Sequence, residues 1–458
     1  MGKLRFYTAM AAGKLSGAVL RLMKKSTCYV PGHIAVSVWN DFLSGIQPPK
    51  TVIAVTGTNG KTTVDNLITT ILQENGYSVT SNRLGPNMRT GIASAFLENC
   101  TFSGRCTTDV AVLEVDEGST PVVFPTMKPD YLICTNLMRD SIKHNGHPWY
   151  IAYLIGLATP ETTKMILNAD DMICSSVRKK GQDVTYFGID AARPTDYVSS
   201  TVCDVVYCPE CGEKLEVEYL RYNHIGRMHC PKCGGGSPAP DFLVTDINPT
   251  ENSFTVLHDG IRENYRLIND NLVNVYNFVG VIALLSRMGL SFEQIAKGFA
   301  KTEIVSSRYN VLQLPDRKIV MQMAKGQNAM ACGRSYDYVS HLPGKRKGLI
   351  LLVDDKFDNV KDTESTCWLY DCDFSYLADD SISQIVFAGP RCRDQYLRAL
   401  IAGVDEKKLR MVDIPKDGAK PFDISLSDDI YILYDVYYVE ESYAVRQELM
   451  DRMKGEEK

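Results

Sequence analysis

One stretch, TVIAVTGTNGKTTVDNLITTILQENG over residues 51–76, leaves this chain few folds to choose from. An apolar, β-branched run ends in glycine, a short polar turn follows, and a helix-forming run begins at once. Glycines let such a turn fold back so that consecutive backbone N–H groups aim at one anion, and the helix N-terminus adds its own positive end. Within the turn, Lys61 can neutralise the outer phosphates of a nucleotide and the Thr62 hydroxyl can ligate Mg²⁺. Thr58, Asn59, Gly60 and Thr63 complete the candidate nucleotide-binding loop. The general phosphate-loop pattern has glycine five residues before Gly60; Val55 stands there, so this is a variant. A glycine-rich turn with a chance lysine is the plainer alternative, and the strand before and helix after weigh against it.

The rhythm continues beyond the loop. VAVLEV, DYLICTN, TKMILNA and DVTYFG are further strand candidates with helical sequence between most of them. Such alternation predicts an α/β fold, a mostly parallel sheet covered by helices on both faces. Side chains at the C-terminal ends of such strands face the ligand crevice. Glu114, at the end of VAVLEVDEG, is therefore the candidate for the phosphate-bridging magnesium, while Asp116 and Glu117 read equally well as a solvated acidic loop. Helix NVYNFVGVIALLSRMG precedes a boundary between Ser306 and Leu314. A second α/β rhythm follows, with KIVMQMAKG, KGLILLVDD, SQIVFAGP and DIYILYDVYYV as strands of a smaller Rossmann-like domain.

The texture breaks near Cys203. Cys208 and Cys211 form one C-P-x-C-G knuckle, Cys230 and Cys233 another, with 18 residues between the pairs. Each knuckle turns two thiolates toward one point, so the two together close a tetrahedral Zn²⁺ site with no open position, a structural site. Cys203, His224 and His229 stand nearby and are not counted as ligands. The segment after the ribbon, DFLVTDINPTENSFTVLHDGIRENYRL, alternates like antiparallel strands. His144 and His147, in IKHNGHPWY, can touch a metal or substrate, although lone histidines are more often structural.

Bulk properties narrow the function. A length of 458 residues suggests two or three domains, and 45% hydrophobic with 23% charged residues is an ordinary globular composition. A net charge of −5 gives no electrostatic reason for a nucleic-acid partner. The 14 cysteines are not spaced like a disulfide framework, which suggests a reducing cytoplasm. No apolar run reaches the ~20 residues of a membrane span. Residues 1–40 hold no Asp or Glu but carry Lys3, Arg5, Lys14, Arg21, Lys24 and Lys25. An amphipathic helix docked on the domain is the first reading there, and peripheral contact with an anionic membrane surface, the inner face, the second.

The GTNGKTT turn after an apolar strand resembles the Mur ligase family, whose members join amino acids to peptidoglycan precursors or glutamate to folates. PGHIA, NRLGPNMRTGI, LEVDEG, ICTNLMRD, LNADD, NVYN, WLYDCDF and FAGPRCRDQYLRAL follow in the order seen in its lipid II-amidating branch, over nearly the whole chain. The resemblance implies a basic N-terminal segment over 1–48, a central ATP-binding domain over 49–308 with the zinc ribbon inserted at 203–238, and a C-terminal domain over 309–452. Only about fifty residues precede the loop, too few for the usual UDP-binding domain, which fits a lipid-linked substrate. The activity implied is ATP-dependent amidation of the D-glutamate α-carboxylate of lipid II. It runs through an acyl phosphate, with ammonia from a GatD-like glutaminase subunit in a heterodimer.

Carried over residue by residue, the resemblance gives Lys61 and Glu114 catalytic roles, places Asn274 and Asn277 at the adenine, and has Arg308 steady the nucleotide. Three departures stand out. Arg308 sits in SSRYN, where relatives have glycine before the arginine and glutamate two residues after it. Lys325, in MAKGQN, lacks the asparagine–proline pair that follows the lysine in relatives. Ser365 replaces the aspartate three residues before the tryptophan that is associated with the partner's catalytic triad; Asp362 and Asp371 are the acids near enough to substitute. A stand-alone Mur-type ligase acting on another carboxylate, and a non-catalytic nucleotide-binding scaffold, remain open beside the amidation reading.

Overall fold

The computed structural model describes residues 2–140, 146–190, 203–268, 271–302, 309–314, 317–324, 326, 328–353 and 367–456. His144, Arg308, Lys325, Asp362 and Ser365 lie outside the described residues. The chain divides into two compact units. Unit 1 takes Met1–Leu137, His147–Ser199 and Asp204–Ile304; unit 2 takes Met138–Gly146, Ser200–Cys203 and Val305–Lys458.

In unit 1 the strands are β1 (Thr51–Thr56), β2 (Val79–Ser81), β3 (Val110–Glu114), β4 (Tyr131–Cys134), β5 (Lys164–Asn168) and β6 (Val184–Ile189). Next come β7 (Glu216–Tyr222), β8 (Ile225–His229), β9 (Phe242–Asn248), β10 (Ser253–His258) and β11 (Ile261–Arg266). Among the described residues nine of these form one sheet, ordered β11-β10-β9-β6-β5-β4-β1-β3-β2, and β7 with β8 makes a separate hairpin. From β9 through β6 to β2 every pairing is parallel; only β9–β10 and β10–β11 are antiparallel, in keeping with the alternating DFLVTDIN and SFTVLH sequences. The helices are α1 (Gly2–Leu22), α2 (Val30–Val38), α3 (Lys61–Glu74), α4 (Arg89–Asn99), α5 (Thr120–Val123), α6 (Pro148–Ala158), α7 (Met172–Ser175), α8 (Leu272–Arg287) and α9 (Phe292–Lys301).

Burial explains the strand sequences. Every residue of β3 is buried, so the run carries no polar alternation until Glu114 at its end. Helix α8 buries Val275 through Leu285 without a break, which is why it reads apolar all round. Gly289, just past it, takes a left-handed φ of 96°, and Ser291 then opens α9 with a capping box closed by Gln294. Helix α1 buries Phe6, Ala9, Met10, Gly13 and Gly17 on one side, with the Phe6 ring stacked on Phe42. No described helix is long and apolar enough to cross a membrane.

Chain order fixes where a ligand can sit. From β1 the chain runs outward to β2 and β3 on one side, then crosses to β4 and β5 on the other. The strand order therefore reverses beside β1, and the crevice opens outside the carboxyl ends of β1 and β4.

Unit 2 carries β12 (Tyr309–Gln313), β13 (Lys318–Met323), β14 (Lys347–Leu352), β15 (Ile382–Ala388), β16 (Leu409–Val412) and β17 (Asp429–Tyr434). Their order is β12-β13-β17-β14-β15-β16, parallel except for β12. Along β14 successive side chains point to opposite faces. Leu349 and Leu351 join one apolar cluster while Ile350 and Leu352 join the other. Helices α10 (Ala329–His341), α11 (Trp368–Asp371), α12 (Cys392–Ile401) and α13 (Val439–Glu456) cover the two faces.

Candidate active site

The turn between β1 and α3 is clamped from β4. The Thr58 N–H donates to the Asn136 carbonyl at 2.8 Å and the Asn59 N–H to the Asn136 side-chain oxygen at 3.1 Å. In return the Asn136 amide and the Thr135 hydroxyl donate to the Asn59 carbonyl at 3.0 and 2.6 Å. Asn168 of β5 in turn donates to the Thr135 carbonyl at 3.1 Å. The loop is thus held by the protein's own hydrogen bonds, which lowers the cost of ordering it on binding.

Gly60 ends the turn at φ 91°, and a Cβ there would meet the Asn277 side-chain oxygen at 2.3 Å. Both its backbone angle and its neighbour demand glycine. Asn277 itself is buried on α8, and among the described residues neither amide atom has a hydrogen-bond partner. A buried amide without partners is costly, so this one fits a ligand's polar group. Asn274, three residues earlier, is half-buried, and Asn271 caps the helix by accepting from the Val273 N–H at 3.0 Å.

Lys61 lies almost wholly inside the site. Its ammonium donates to the Gly57 carbonyl at 2.6 Å and to Glu117 at 3.2 and 3.3 Å. Burial alone would lower its pKa, but Glu117, Asp116 and Glu114 outweigh that and hold it above the ordinary lysine value. The charge is secured. Burial, with Glu117 beside it, raises the Asp116 carboxyl above the usual range.

Glu114 is buried at the end of β3, held by its main chain. Asn82 accepts from the Glu114 N–H and donates to its carbonyl, both at 2.9 Å, while the Asn87 amide reaches the carboxylate at 3.4 Å. Thr62 and Thr63 are half-buried in the first turn of α3. One turn further, Asp65 is wholly buried, accepting from Ser81 at 2.8 Å and Thr69 at 3.0 Å with its second oxygen unpartnered. Burial, reinforced by Glu114, pushes its pKa up to about 7.

The sequence reading placed Lys61, the loop and Glu114 at one site, and the structure brings them together. It overlooked Asn82, Asn87, Thr135 and Asn136, whose only signal was asparagine or threonine at strand ends, and it weighed Glu117 as loop surface although that side chain is buried against Lys61.

The cysteine knuckles also converge. The Cys208 and Cys233 sulfurs lie 3.6 Å apart, those of Cys211 and Cys230 3.5 Å apart, and all four fall within 4.8 Å of one another. Tetrahedral sulfurs about 2.3 Å from a metal are about 3.8 Å apart, so the cluster can hold a metal ion. The hairpin β7–β8 carries this cluster at one end and plugs into unit 1 at the other. Arg221, 1% exposed, donates to Asp170 at 3.0 Å, to the Tyr276 hydroxyl at 2.8 Å and to the Ile189 and Asp190 carbonyls at 2.9 and 2.7 Å. His224 meets Asp171 at 3.3 Å. Asp170 follows β5 and Tyr276 precedes Asn277, so the hairpin reaches the elements that frame the phosphate loop. His147 caps α6, accepting from the Trp149 N–H at 3.4 Å, a structural role.

In unit 2, Asp371 ends α11 and pairs with Arg139 at 2.6 Å. Beside it in sequence, Asp140 accepts from Asn328 at 3.2 Å, and Asn328 also caps α10.

Known proteins match both parts of the chain. The Mur ligase middle domain model matches residues 55–217 and the MurT ligase C-terminal model matches residues 326–436. A curated relative from Staphylococcus aureus (strain COL), lipid II isoglutaminyl synthase (glutamine-hydrolyzing) subunit MurT, is 29% identical over 92% of this chain and 93% of its own. Among solved structures, a pseudomurein peptide ligase type C from Methanothermus fervidus superposes with TM-score 0.66 at 18% identity, covering 90% of this chain and 81% of that one. MurF ligase from Thermotoga maritima in complex with ADP gives 0.58 at 15% identity, covering 92% and 85%. Mur ligase family models thus match both domains of the chain, and a MurT subunit is similar to it over nearly its whole length.

Proposed function

We propose that this chain is the ATP-using subunit of a lipid II amidating ligase. It phosphorylates the α-carboxylate of the stem-peptide D-glutamate, and ammonia then displaces phosphate to leave D-isoglutamine. The observation that carries the reading is the prebuilt phosphate cradle. Its loop is clamped by Asn136, its lysine is kept charged by buried acids, and the unpartnered Asn277 waits beside Gly60.

Each group has a task. The N–H groups of the loop and the Lys61 ammonium hold the outer phosphates of ATP, the lysine exchanging Glu117 for phosphate oxygen. Thr62 and Glu114 hold magnesium, which when bound draws charge off the transferring phosphoryl group. Thr58, Asn59, Gly60 and Thr63 shape the cradle, Asn274 and Asn277 take the base, and Arg308 steadies the nucleotide. Cys208, Cys211, Cys230 and Cys233 hold a structural zinc that fixes the ribbon. Ammonia comes from a GatD-like glutaminase bound through the C-terminal domain, with Asp362 or Asp371 serving in place of the aspartate that Ser365 lacks. The domain limits follow: 1–48, 49–308 with the ribbon at 203–238, and 309–452.

The test is mass-spectrometric detection of D-isoglutamine in lipid II incubated with magnesium-ATP, the chain, and either ammonium or glutamine plus a glutaminase partner. Product from both nitrogen sources is expected. Product from ammonium alone would mark a stand-alone ligase, the reading that Ser365 favours, and no product from either would reject amidation.

A further inference from the structure

Helix α1 is apolar on two opposite sides, and among the described residues only one of them is packed. The inner side packs on unit 1 through Phe6, Met10 and their neighbours. On the outer side Leu4, Leu15 and Leu22 stay 75%, 68% and 85% exposed, with Tyr7 and Val19 beside them at 46% each. At 100° per residue these five fall in one sector about 120° wide, the opposite face from Phe6 and Met10. Lys3 and Arg21 flank that sector on one side and Arg5 on the other, all exposed, and Lys24 and Lys25 extend the basic edge beyond the helix. Lys14 is the exception, turned inward to donate to the Leu97 and Cys100 carbonyls at 2.7 Å each.

An apolar stripe edged by long basic side chains suits one environment in particular. Leucines enter the acyl boundary while lysine and arginine stems run along the apolar surface and keep their charges at the phosphates. A second copy of the chain would bring the basic edges of two helices together, which like charges oppose. Residues 1–40 contain no acid to relieve that contact.

We infer that α1 is a membrane-surface helix that seats unit 1 on an anionic bilayer through Leu4, Tyr7, Leu15, Val19 and Leu22. It lies flat, its inner face still docked on the domain. The inference rests on the helix and not on the amidation reading, although a lipid-borne substrate gives it a purpose.

The test is flotation of the full chain with vesicles that contain no lipid II. One set mixes phosphatidylglycerol with phosphatidylcholine; the other is phosphatidylcholine alone. Binding to the anionic set at least tenfold tighter than to the neutral set is expected, weakening steeply with salt. The variant Leu4→Ser/Leu15→Ser/Leu22→Ser should lose at least tenfold in binding while its magnesium-ATP affinity stays unchanged. A second variant, Lys3→Glu/Arg5→Glu/Arg21→Glu, should lose the preference for anionic lipid. Wild type that fails to float, or a leucine variant that binds as well as wild type, overturns the proposal. So does light scattering that shows the wild type dimeric and the leucine variant monomeric. Nucleotide affinity in the same preparations reports separately on the active site, so either idea can fail alone.

Discussion

Among the described residues, Lys61 in unit 1 and Lys347 in unit 2 are both enclosed, and they are satisfied in opposite ways. Lys347, at the start of β14, donates to the carbonyls of Val339, Ser340 and Leu342 at 2.8, 2.7 and 2.6 Å. Burial pulls its pKa below the ordinary value, with Asp379 and Asp429 opposing. The three hydrogen bonds go to the last turn of α10 and its cap residue Leu342, so this lysine closes a helix end. Lys61 instead shares its charge with carboxylates, which an incoming phosphate can replace without leaving the ammonium bare. Buried charge locked to carbonyls serves architecture; buried charge parked on acids beside an unpartnered amide is ready for a ligand.

The contrast can be broken by experiment. Lys61→Ala should lower kcat/KM about a thousandfold, roughly 4 kcal/mol of transition-state stabilisation, and abolish the thermal shift given by magnesium-ATP. An unchanged shift would place the nucleotide elsewhere. Arg221→Met leaves Asp170 without its buried counter-charge and should destabilise unit 1 by about 3 kcal/mol in chemical denaturation. Adding Asp170→Asn should recover part of that, whereas strictly additive losses would show the pair to be uncoupled. Lys347→Met strands three carbonyls and should cost about 2 kcal/mol of stability, with the ATP-induced shift intact. A lost shift there would erase the distinction between the two lysines.

Asp65 sharpens the picture with pH. Its folded pKa, about 7, lies above the ordinary aspartate value of 3.8, so the folded chain keeps a proton that the unfolded chain releases. Stability should therefore be fullest at acidic pH and fall as pH rises from about 4 to about 7, by at most about 1.4 kcal/mol per pH unit. Asp65→Asn should flatten that slope, and an unaltered slope would assign it to another group.

Much of this could be read from the sequence because apolar runs and strand position coincide. VAVLEV and KGLILL are interior strands that carry no polar alternation to confuse the reading, and GTNGKTT sits where a strand must hand over to a helix. The knuckle spacing announced the four-sulfur cluster before any coordinates. Long-range pairing was the part that stayed hidden. Nothing local distinguishes Arg221 from the exposed residues of a hairpin, because its partners lie 51 and 55 residues away. Asn136 was equally silent, since its task is to meet a turn 77 residues earlier. Glu117 reads equally well as crevice or solvated loop, and only the fold shows that it turns inward to Lys61.

The seating of Arg221 has a consequence for anyone who would shorten this protein. Pruning away the cysteine hairpin would not return a simpler ligase domain. It would strip Asp170 of the Arg221 charge and leave that carboxylate with only the Tyr276 phenol and the Ile189 N–H, next to Asn277. Losing the insertion would have to be concerted, with acid, phenol and arginine replaced together, and that makes the ribbon hard to shed once a lineage has acquired it.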